Sequence, residues 1–237
     1  MSDLEVVEPF SEPMAEAATS PSSVPLVAPT STVPAAADVP PCAIADEPVQ
    51  EDPATDWATI VVDTNRALPA DYAPPDLVDV SAAGFTTSDQ IRQIVVPDLD
   101  ALRQAAEANG TPLVMVSAYR SYGYQQGLFN NYVEELGLEE AERTSARPGH
   151  SEHQLGTAVD LIGPDTPDLE TDFAATPTGQ WLAANASAYG FVISYPDVAR
   201  ERSCYAFEPW HLRYVGRDLA GQIQASGLTL REWLLTH

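Results

Sequence analysis

A change in composition near residue 52 divides this chain into two parts with very different capacities to fold. Residues 1–52 contain nine prolines, ten acidic side chains and no basic one, and Phe10 is their single aromatic residue. So few large apolar side chains cannot offset the entropy lost on ordering, and the prolines favour extended backbone. We therefore expect residues 1–52 to form a disordered tail or linker and residues 53–237 to form one folded domain.

The charge of the chain disfavours several classes of partner. The formal net charge is −24, from 35 acidic and 11 basic residues, and every basic residue is arginine. Such a chain repels phosphate backbones and anionic lipid, so we expect no nucleic-acid partner. No run of about eighteen apolar residues occurs, so we expect no transmembrane segment in this chain.

The acidic start of the chain, residues 1–5, shows no signal peptide. A cytosolic protein would have such a start, and removal of an export signal or an anchor would leave the same one. The spacer-like tail favours the second alternative, an extracytoplasmic protein that is secreted or attached to the cell wall. Cys42 and Cys204 are either two unconnected thiols or one disulfide. A disulfide would tie the end of the tail to the segment that precedes residue 208.

The pattern of apolar residues predicts helices and strands in mixed order, which favours an α+β fold over a doubly wound sheet. A helix over 99–109, capped by Asp98 and ended by Gly110, is the clearest element. Residues 57–62 are predicted as a short strand or helix. The other predicted helices cover 124–135, 178–189 and 217–225, and the predicted strands cover 112–119, 157–162, 191–195 and 210–215.

Two short motifs carry the chemistry of this chain, SEHQLGTAVD at 151–160 and EPWH at 208–211. His153, Asp160 and His211 supply two imidazoles and one carboxylate, the ligand types that a catalytic zinc uses while one position stays open for water. The spacing of His153 and Asp160 suits a loop ligand followed by a strand ligand. Alone, either residue would have an ordinary structural role; the two motifs together indicate a metal site.

Glu208 lies three residues before His211 and next to Pro209, which indicates an extended turn entering a strand and not an HExxH helix. In that position Glu208 can act as the general base of a hydrolase. His150 competes with His153 for the ligand role because it lies three residues earlier. We expect His150 to be a loop or supporting residue instead.

The segments 117–121, 145–160 and 208–211 resemble the corresponding motifs of VanY-type zinc D-Ala-D-Ala carboxypeptidases, which are related to the VanX dipeptidases and the Hedgehog amino-terminal domain. The resemblance covers residue 53 to the C-terminus. It implies a single Hedgehog/D,D-peptidase-like domain with a small, mainly antiparallel sheet flanked by helices. It also implies one zinc ion per chain held by His153, Asp160 and His211, with Glu208 as the catalytic base and Arg120 in contact with the substrate or its transition state.

By this resemblance the substrate is a peptidoglycan stem peptide that ends in D-Ala-D-Ala, and the protein removes its last residue. We expect the protein to be a monomer. Arg120 suits a terminal carboxylate or a developing oxyanion, and Ser151 and Gln125 are predicted to add hydrogen bonds to the substrate. Two alternatives stay open: an endopeptidase that cuts between L-Ala and D-Glu, and a zinc-stabilised binding module without catalysis. The presence of Glu208 beside His211 disfavours the binding module, because a structural site needs no base.

Overall fold

The structure is a computed structural model that describes residues 39–237; most of the predicted tail therefore lies outside the described residues. In chain order its strands are β1 Glu47–Pro48, β2 Arg66–Ala67, β3 Leu77–Asp79, β4 Gln90–Arg92, β5 Val114–Ser117, β6 Ala158–Ile162, β7 Phe191–Ile193 and β8 His211–Tyr214. Its helices are α1 Val96–Ala108, α2 Tyr122–Leu136, α3 Leu138–Thr144, α4 Pro177–Asn185, α5 Arg200–Ser203, α6 Arg217–Ser226 and α7 Leu230–Thr236.

The centre of the fold is a four-stranded sheet in the order β5-β6-β8-β7, and each neighbouring pair of strands is antiparallel. All five residues of β6 are buried, as expected for an inner strand packed on both faces. The helices flank this sheet, and the α+β prediction is confirmed. No helix among residues 39–237 has the length and apolar character needed to cross a membrane.

Helix α1 covers one face of the sheet with an apolar stripe. Leu99, Leu102 and Ala106 are buried at helical spacing and belong to the same core cluster as Val159 and Leu212 of the inner strands. The predicted cap at Asp98 is wrong, since α1 begins at Val96 with Pro97 in its first turn. Asp98 instead accepts hydrogen bonds from the Tyr214 hydroxyl and the Arg217 guanidinium, each at 2.8 Å.

The segment 57–62 is neither strand nor helix, contrary to prediction. Ile60, Val61 and Val62 are buried, but no neighbouring strand among residues 39–237 pairs with this stretch. Carbonyl oxygens of this segment are bound by a side chain and not by a strand. The Arg213 Nη2 atom donates to the carbonyl oxygens of Trp57 at 2.7 Å and Ile60 at 3.0 Å. The predicted helix over 178–189 is also shorter than expected, since α4 ends at Asn185 and a 3-10 turn follows.

Residues 39–52 are fastened to the rest of the fold. Cys42 and Cys204 form a disulfide, so the sequence alternative of a bridge is the one observed. Strand β1 pairs in parallel with β2, and the Arg147 guanidinium donates to the carbonyl oxygens of Ala45 and Thr64. The boundary predicted at residue 53 therefore falls inside the packed region.

Candidate metal centre

Three buried side chains converge where β6 and β8 pair. Asp160 lies in the middle of β6, and the antiparallel register places it opposite His211, the first residue of β8. His153 comes from a 3-10 turn, Glu152–Leu155, just before β6. One ligand atom from each of the three residues lies within 4.8 Å of the others. The structure thus brings together the three residues predicted to hold the metal.

Hydrogen bonding selects which nitrogen of His153 faces this cluster. Its Nδ1 atom donates to the Ala118 carbonyl oxygen, so Nε2 carries the lone pair. Nε2 is buried without a hydrogen-bond partner among the described residues and lies 3.2 Å from the Asp160 Oδ2 atom. Two acceptor atoms at this distance repel unless a cation lies between them. Tetrahedral zinc separates its nitrogen and oxygen ligand atoms by about 3.3 Å, so this pair fits a metal ion.

His211 faces Asp160 with its Nδ1 atom, whereas His153 faces Asp160 with Nε2. Its Nε2 atom is 2.9 Å from the Glu152 Oε2 atom, and its Nδ1 atom is 3.1 Å from the Asp160 Oδ1 atom. The Tyr195 ring stacks on the imidazole with centroids 4.8 Å apart. Burial disfavours the imidazolium, but the hydrogen bonds to Asp160 and Glu152 outweigh burial and raise the pKa of His211 to about 10. The pocket therefore stabilises a positive charge next to Asp160, as a metal site must.

The other two predicted ligands are held in the protonation states that metal binding requires. Burial, reinforced by the charge of Arg120, lowers the pKa of His153 to about 4, so its imidazole is neutral at pH 7. Burial opposes ionisation of Asp160, but the hydrogen bond and the positive charge of His211 hold the pKa of its carboxyl well below the ordinary value. A neutral imidazole and an ionised carboxylate are competent ligands.

Glu208 lies at the open side of the cluster. Its side chain is 25% exposed and its Oε2 atom is 4.0 Å from the His211 Nδ1 atom. The His211 amide donates to the Glu208 carbonyl oxygen at 3.2 Å, which gives the turn into β8 expected from Pro209. Burial raises the pKa of the Glu208 carboxyl to about 7, although the charge of His211 opposes this shift.

Arg120 follows β5 and reaches the same cluster. Its Nη2 atom is 3.2 Å from the Asp160 Oδ2 atom, and its Nη1 atom donates to the Gln125 Oε1 atom at 3.2 Å. The side chain is 19% exposed, and its Nε atom has no partner among the described residues. Arg120 therefore keeps hydrogen-bonding capacity at the edge of the site.

The structure places the remaining predicted residues differently. Gln125 is buried, and its Nε2 atom donates to the Ser145 hydroxyl and the Ala146 carbonyl oxygen, so its visible contact with the site is through Arg120. Ser151 is buried next to the turn that carries His153, and its hydroxyl makes no cap to that turn. For both residues the substrate contact stays a prediction.

His150 forms its hydrogen bonds outside the group of three predicted ligands. Its Nδ1 atom is 2.7 Å from the Asp63 carbonyl oxygen and its Nε2 atom is 3.0 Å from the Asp46 Oδ1 atom. With both nitrogens engaged, His150 is a supporting residue of the N-terminal segment and not a fourth ligand.

Sequence reasoning missed Glu152, which is buried between His211 and Arg213. The Arg213 Nη1 atom donates to Glu152 Oε1 at 2.9 Å, and the Ser194 hydroxyl donates to Oε2 at 2.6 Å. Burial opposes ionisation, but Arg213 and His211 outweigh it and lower the pKa of Glu152 to about 2. Its position inside the first motif was the available signal, yet nothing local in the sequence indicates that it contacts β8.

Comparison with known proteins places these features in one family. Residues 88–217 match the VanY family, described as D-alanyl-D-alanine carboxypeptidase. The Bacillus subtilis protein YodJ, a putative carboxypeptidase by name, is 41% identical over 179 residues, which cover 73% of this chain and 65% of YodJ, slightly less than two thirds of its length. A D-alanyl-D-alanine carboxypeptidase of Enterococcus faecalis is 33% identical over 190 residues, 76% of this chain and 67% of that protein.

Solved structures of similar proteins share the fold. The LD-carboxypeptidase LdcB is 38% identical with a TM-score of 0.66, over 73% of this chain and 83% of that one. VanYB in complex with D-alanine-D-alanine is 32% identical with a TM-score of 0.65, over 76% of this chain and 99% of that one. A variant of the D,D-pentapeptidase VanY in complex with Zn(II) is 32% identical with a TM-score of 0.64, over 75% and 99% of the two chains. By sequence and by fold, this chain belongs to the VanY family of D-alanyl-D-alanine carboxypeptidases.

Proposed function

We propose that this protein is a zinc-dependent D,D-carboxypeptidase that removes the C-terminal D-Ala from peptidoglycan stem peptides ending in D-Ala-D-Ala. The observation that carries the proposal is the buried group of His153, Asp160 and His211, with the lone pair of His153 Nε2 facing Asp160. Glu208 and Arg120 border this group and are both partly exposed. This is the arrangement of a metal site with substrate access.

In the proposed reaction the ligands hold the metal and Glu208 moves the proton. A zinc ion would be held by His153, Asp160 and His211, and it would supply Lewis-acid chemistry by lowering the pKa of a water to about 7 and polarising a carbonyl. Glu208 accepts the proton of the attacking water and returns it to the nitrogen of the leaving D-Ala. In the absence of a metal ion, burial raises the pKa of the Glu208 carboxyl to about 7, which favours its use as a proton acceptor and donor.

Arg120 is the cation that we propose acts on the substrate. Its guanidinium is held in position by Asp160 and Gln125, so little side-chain entropy is lost on binding. In this position it can donate to the scissile carbonyl oxygen as negative charge develops, or to the free carboxylate that marks a chain end. Selection of that carboxylate is what distinguishes a carboxypeptidase from the alternative endopeptidase.

Relatives support cleavage of a terminal D-Ala but differ in the residue that precedes it. VanYB is described in complex with D-alanine-D-alanine, and the Enterococcus faecalis relative is a D-alanyl-D-alanine carboxypeptidase. The LD-carboxypeptidase LdcB, at 38%, is more similar in sequence than VanYB, at 32%. L,D-carboxypeptidase activity is therefore the second candidate.

Synthetic stem peptides separate these activities. The protein would be loaded with zinc and incubated with the pentapeptide ending in D-Ala-D-Ala and with the tetrapeptide ending in a single D-Ala. We expect conversion of pentapeptide to tetrapeptide plus free D-Ala, detected by mass spectrometry. Conversion of tetrapeptide to tripeptide, with the pentapeptide left intact, would replace the D,D proposal with the L,D one. Release of an L-Ala fragment would indicate the endopeptidase instead.

We also propose an extracytoplasmic location, where the stem peptides are found. The Cys42–Cys204 disulfide supports this location, because such bonds form and persist in oxidising compartments. Location can be tested by fractionating cells that produce the protein from its native gene. Recovery in the reducing cytoplasm alone would contradict the proposal.

A further inference from the structure

The Glu152 carboxylate contacts a predicted metal ligand and is itself buried. Its side chain is 5% exposed, and each of its oxygens is engaged by the protein. Oε2 faces the His211 Nε2 atom at 2.9 Å and accepts from the Ser194 hydroxyl at 2.6 Å. Oε1 accepts from the Arg213 guanidinium at 2.9 Å. The carboxylate therefore has one available function in the site, which is to hold His211.

The choice of ring nitrogen on His211 is what Glu152 controls. A neutral imidazole carries one proton, and that proton can reside on Nδ1 or Nε2. A carboxylate at Nε2 requires the proton there, so the lone pair is left on Nδ1, the atom 3.1 Å from Asp160. Without this carboxylate, the proton can occupy Nδ1 and block the metal position.

Glu152 is itself fixed by Arg213 of β8 and by Ser194, the residue that follows β7. Arg213 is fully buried and lies two residues after His211 on β8, so both side chains extend from the same face of the strand. Its second amino group is held by the Trp57 and Ile60 carbonyl oxygens. Strand β8 thus supplies both a predicted metal ligand and the cation that neutralises the residue holding that ligand.

We propose that Glu152 is a positioning residue of the metal centre, which fixes the tautomer and orientation of His211, and that Arg213 holds Glu152 in place. One 3-10 turn would then control both histidines, because it carries His153 and the carboxylate that orients His211. The inference rests on the proposed metal site. Carboxylates that accept from a metal-bound histidine change metal affinity by about 10- to 100-fold when replaced.

A purely structural ion pair is the rival explanation, and the chain contains a matched control for it. Asp63 and Arg231 form a second buried pair at 2.6 Å, with side-chain exposures of 4% and 5%, close to the 5% and 0% of Glu152 and Arg213. Within residues 39–237, neither Asp63 nor Arg231 forms a side-chain hydrogen bond or ion pair with the three predicted ligands. Glu152→Gln and Asp63→Asn therefore perturb comparable buried ion pairs. Of the two substituted carboxylates, Glu152 contacts a predicted ligand and Asp63 does not.

The experiment measures Zn(II) affinity by competition with a chromogenic chelator, together with thermal unfolding of the metal-free proteins. We expect Glu152→Gln to weaken zinc binding by about 10- to 100-fold and Asp63→Asn to lower the unfolding temperature with zinc affinity within about twofold of wild type. In the zinc-loaded, isotope-labelled wild type, nitrogen NMR of His211 should show metal coordination through Nδ1 and a slowly exchanging Nε2 proton. That proton should exchange faster in Glu152→Gln.

A second variant keeps the test decisive if Glu152→Gln does not fold. Ser194→Ala removes one hydrogen bond to the same carboxylate oxygen and leaves Glu152 and His211 unchanged, so we expect a smaller loss of zinc affinity and faster exchange of the Nε2 proton. Wild-type affinity in every folded variant of Glu152 or Ser194 would overturn the inference. Absence of zinc binding by the wild-type protein would instead overturn the proposed metal site, so the two failures are distinguishable.

Discussion

Glu152 and Glu208 flank different nitrogens of His211 and show how environment divides the roles of two identical side chains. Glu152 has Arg213 within 2.9 Å, and its pKa is lowered to about 2. For Glu208 the neighbouring cation is His211 at 4.0 Å, and burial outweighs its charge and raises the pKa of Glu208 to about 7. A carboxylate that is always ionised can accept a hydrogen bond permanently, whereas one near neutrality can exchange protons. The proposed base and the proposed positioning residue follow this division.

Replacement of Glu208 should remove activity and leave the metal in place. In Glu208→Ala we expect kcat/KM on the stem peptide to fall by about 10²- to 10⁴-fold, the usual contribution of a general base. Zinc content, measured by mass spectrometry of the purified protein, should match wild type because the three predicted ligands are intact. As a comparison, His153→Ala should lose zinc and activity together. Activity that persists in Glu208→Ala would show that another group moves the proton.

The raised pKa of Glu208 also predicts a pH-dependent cost in the metal-free protein. Its pKa of about 7 in the folded protein lies above the ordinary 4.5. At low pH the carboxyl is protonated in both the folded and the unfolded protein, so it does not reduce the free energy of unfolding there. Stability is lost as the pH rises from about 4.5 through about 7. Glu208→Gln imitates the protonated form at every pH and should be more stable than wild type at alkaline pH, by on the order of 1 to 3 kcal/mol.

Thermal unfolding of both proteins in chelator at about pH 5 and about pH 8 tests this sign. We expect Glu208→Gln to unfold at the higher temperature at about pH 8, with the difference narrowing toward about pH 5. A difference that is equal at the two pH values would mean that the substitution acts through packing and not through ionisation.

At the scale of elements, the turn that carries Glu152 and His153 depends on the glycine that ends it. Gly156 has φ +68°, a conformation that L side chains rarely adopt, and its carbonyl oxygen accepts from the Arg92 amide at 2.9 Å. A Cβ at this position would lie 2.9 Å from the Arg92 Cγ atom and 3.1 Å from the Leu77 Cδ2 atom. The neighbouring side chains therefore leave room at this position for the hydrogen atom of glycine but not for a methyl group.

Gly156→Ala should destabilise the protein more than an equivalent change in open space. Gly227 is the matched control, because it has φ +70° and a Cβ added to it would meet no described atom within 4 Å. We expect Gly227→Ala to cost about 1 to 2 kcal/mol for the backbone conformation alone and Gly156→Ala to cost about 1 to 3 kcal/mol more because of the close contacts. Chemical denaturation of both variants measures the difference, and zinc affinity should fall in Gly156→Ala alone. Equal losses of stability would contradict the steric argument.

Elements whose signal is local could be predicted from the sequence, and contacts between distant segments could not. The strand predicted over 157–162 is β6, Ala158–Ile162, and the strand predicted over 210–215 is β8, His211–Tyr214. The residues predicted as ligands lie in these short motifs, where residue type and spacing are informative. Glu152 was missed because its partner Arg213 lies 61 positions further along the chain. The conformation of residues 57–62 was predicted wrongly for the same reason, because Arg213 donates hydrogen bonds to carbonyl oxygens of this segment.

At the scale of the whole molecule, the segment that begins at residue 39 is attached through covalent and polar contacts. The Cys42–Cys204 bridge closes a loop across 162 positions. Asp46 accepts from Arg147 at 2.7 Å, although its side chain is 77% exposed. Cys204 is followed by Tyr205, which packs against Tyr195, the residue stacked on His211. The bridge therefore joins the N-terminal segment to the packing around the metal centre.

Loss of the disulfide should lower stability without removing the fold. For Cys42→Ser combined with Cys204→Ser we expect a loss of about 2 to 5 kcal/mol, because the unfolded chain regains the entropy that the long loop had removed. Thermal unfolding with and without a reductant tests this: the reductant should lower the unfolding temperature of wild type and leave the double variant unchanged. An unaffected wild type would show that the bridge does not contribute.

The antiparallel pairing of β6 with β8 also determines when in folding a metal can be captured. His153 and Asp160 are close together in the sequence. His211 lies 51 positions after Asp160 and comes next to it only when β6 and β8 pair. Such nonlocal pairing is slow to form, because a long loop must close first. A partly synthesised chain that ends before β8 can offer two of the three predicted ligands. Tight metal binding would thus become possible late in folding, only after β8 has paired with β6.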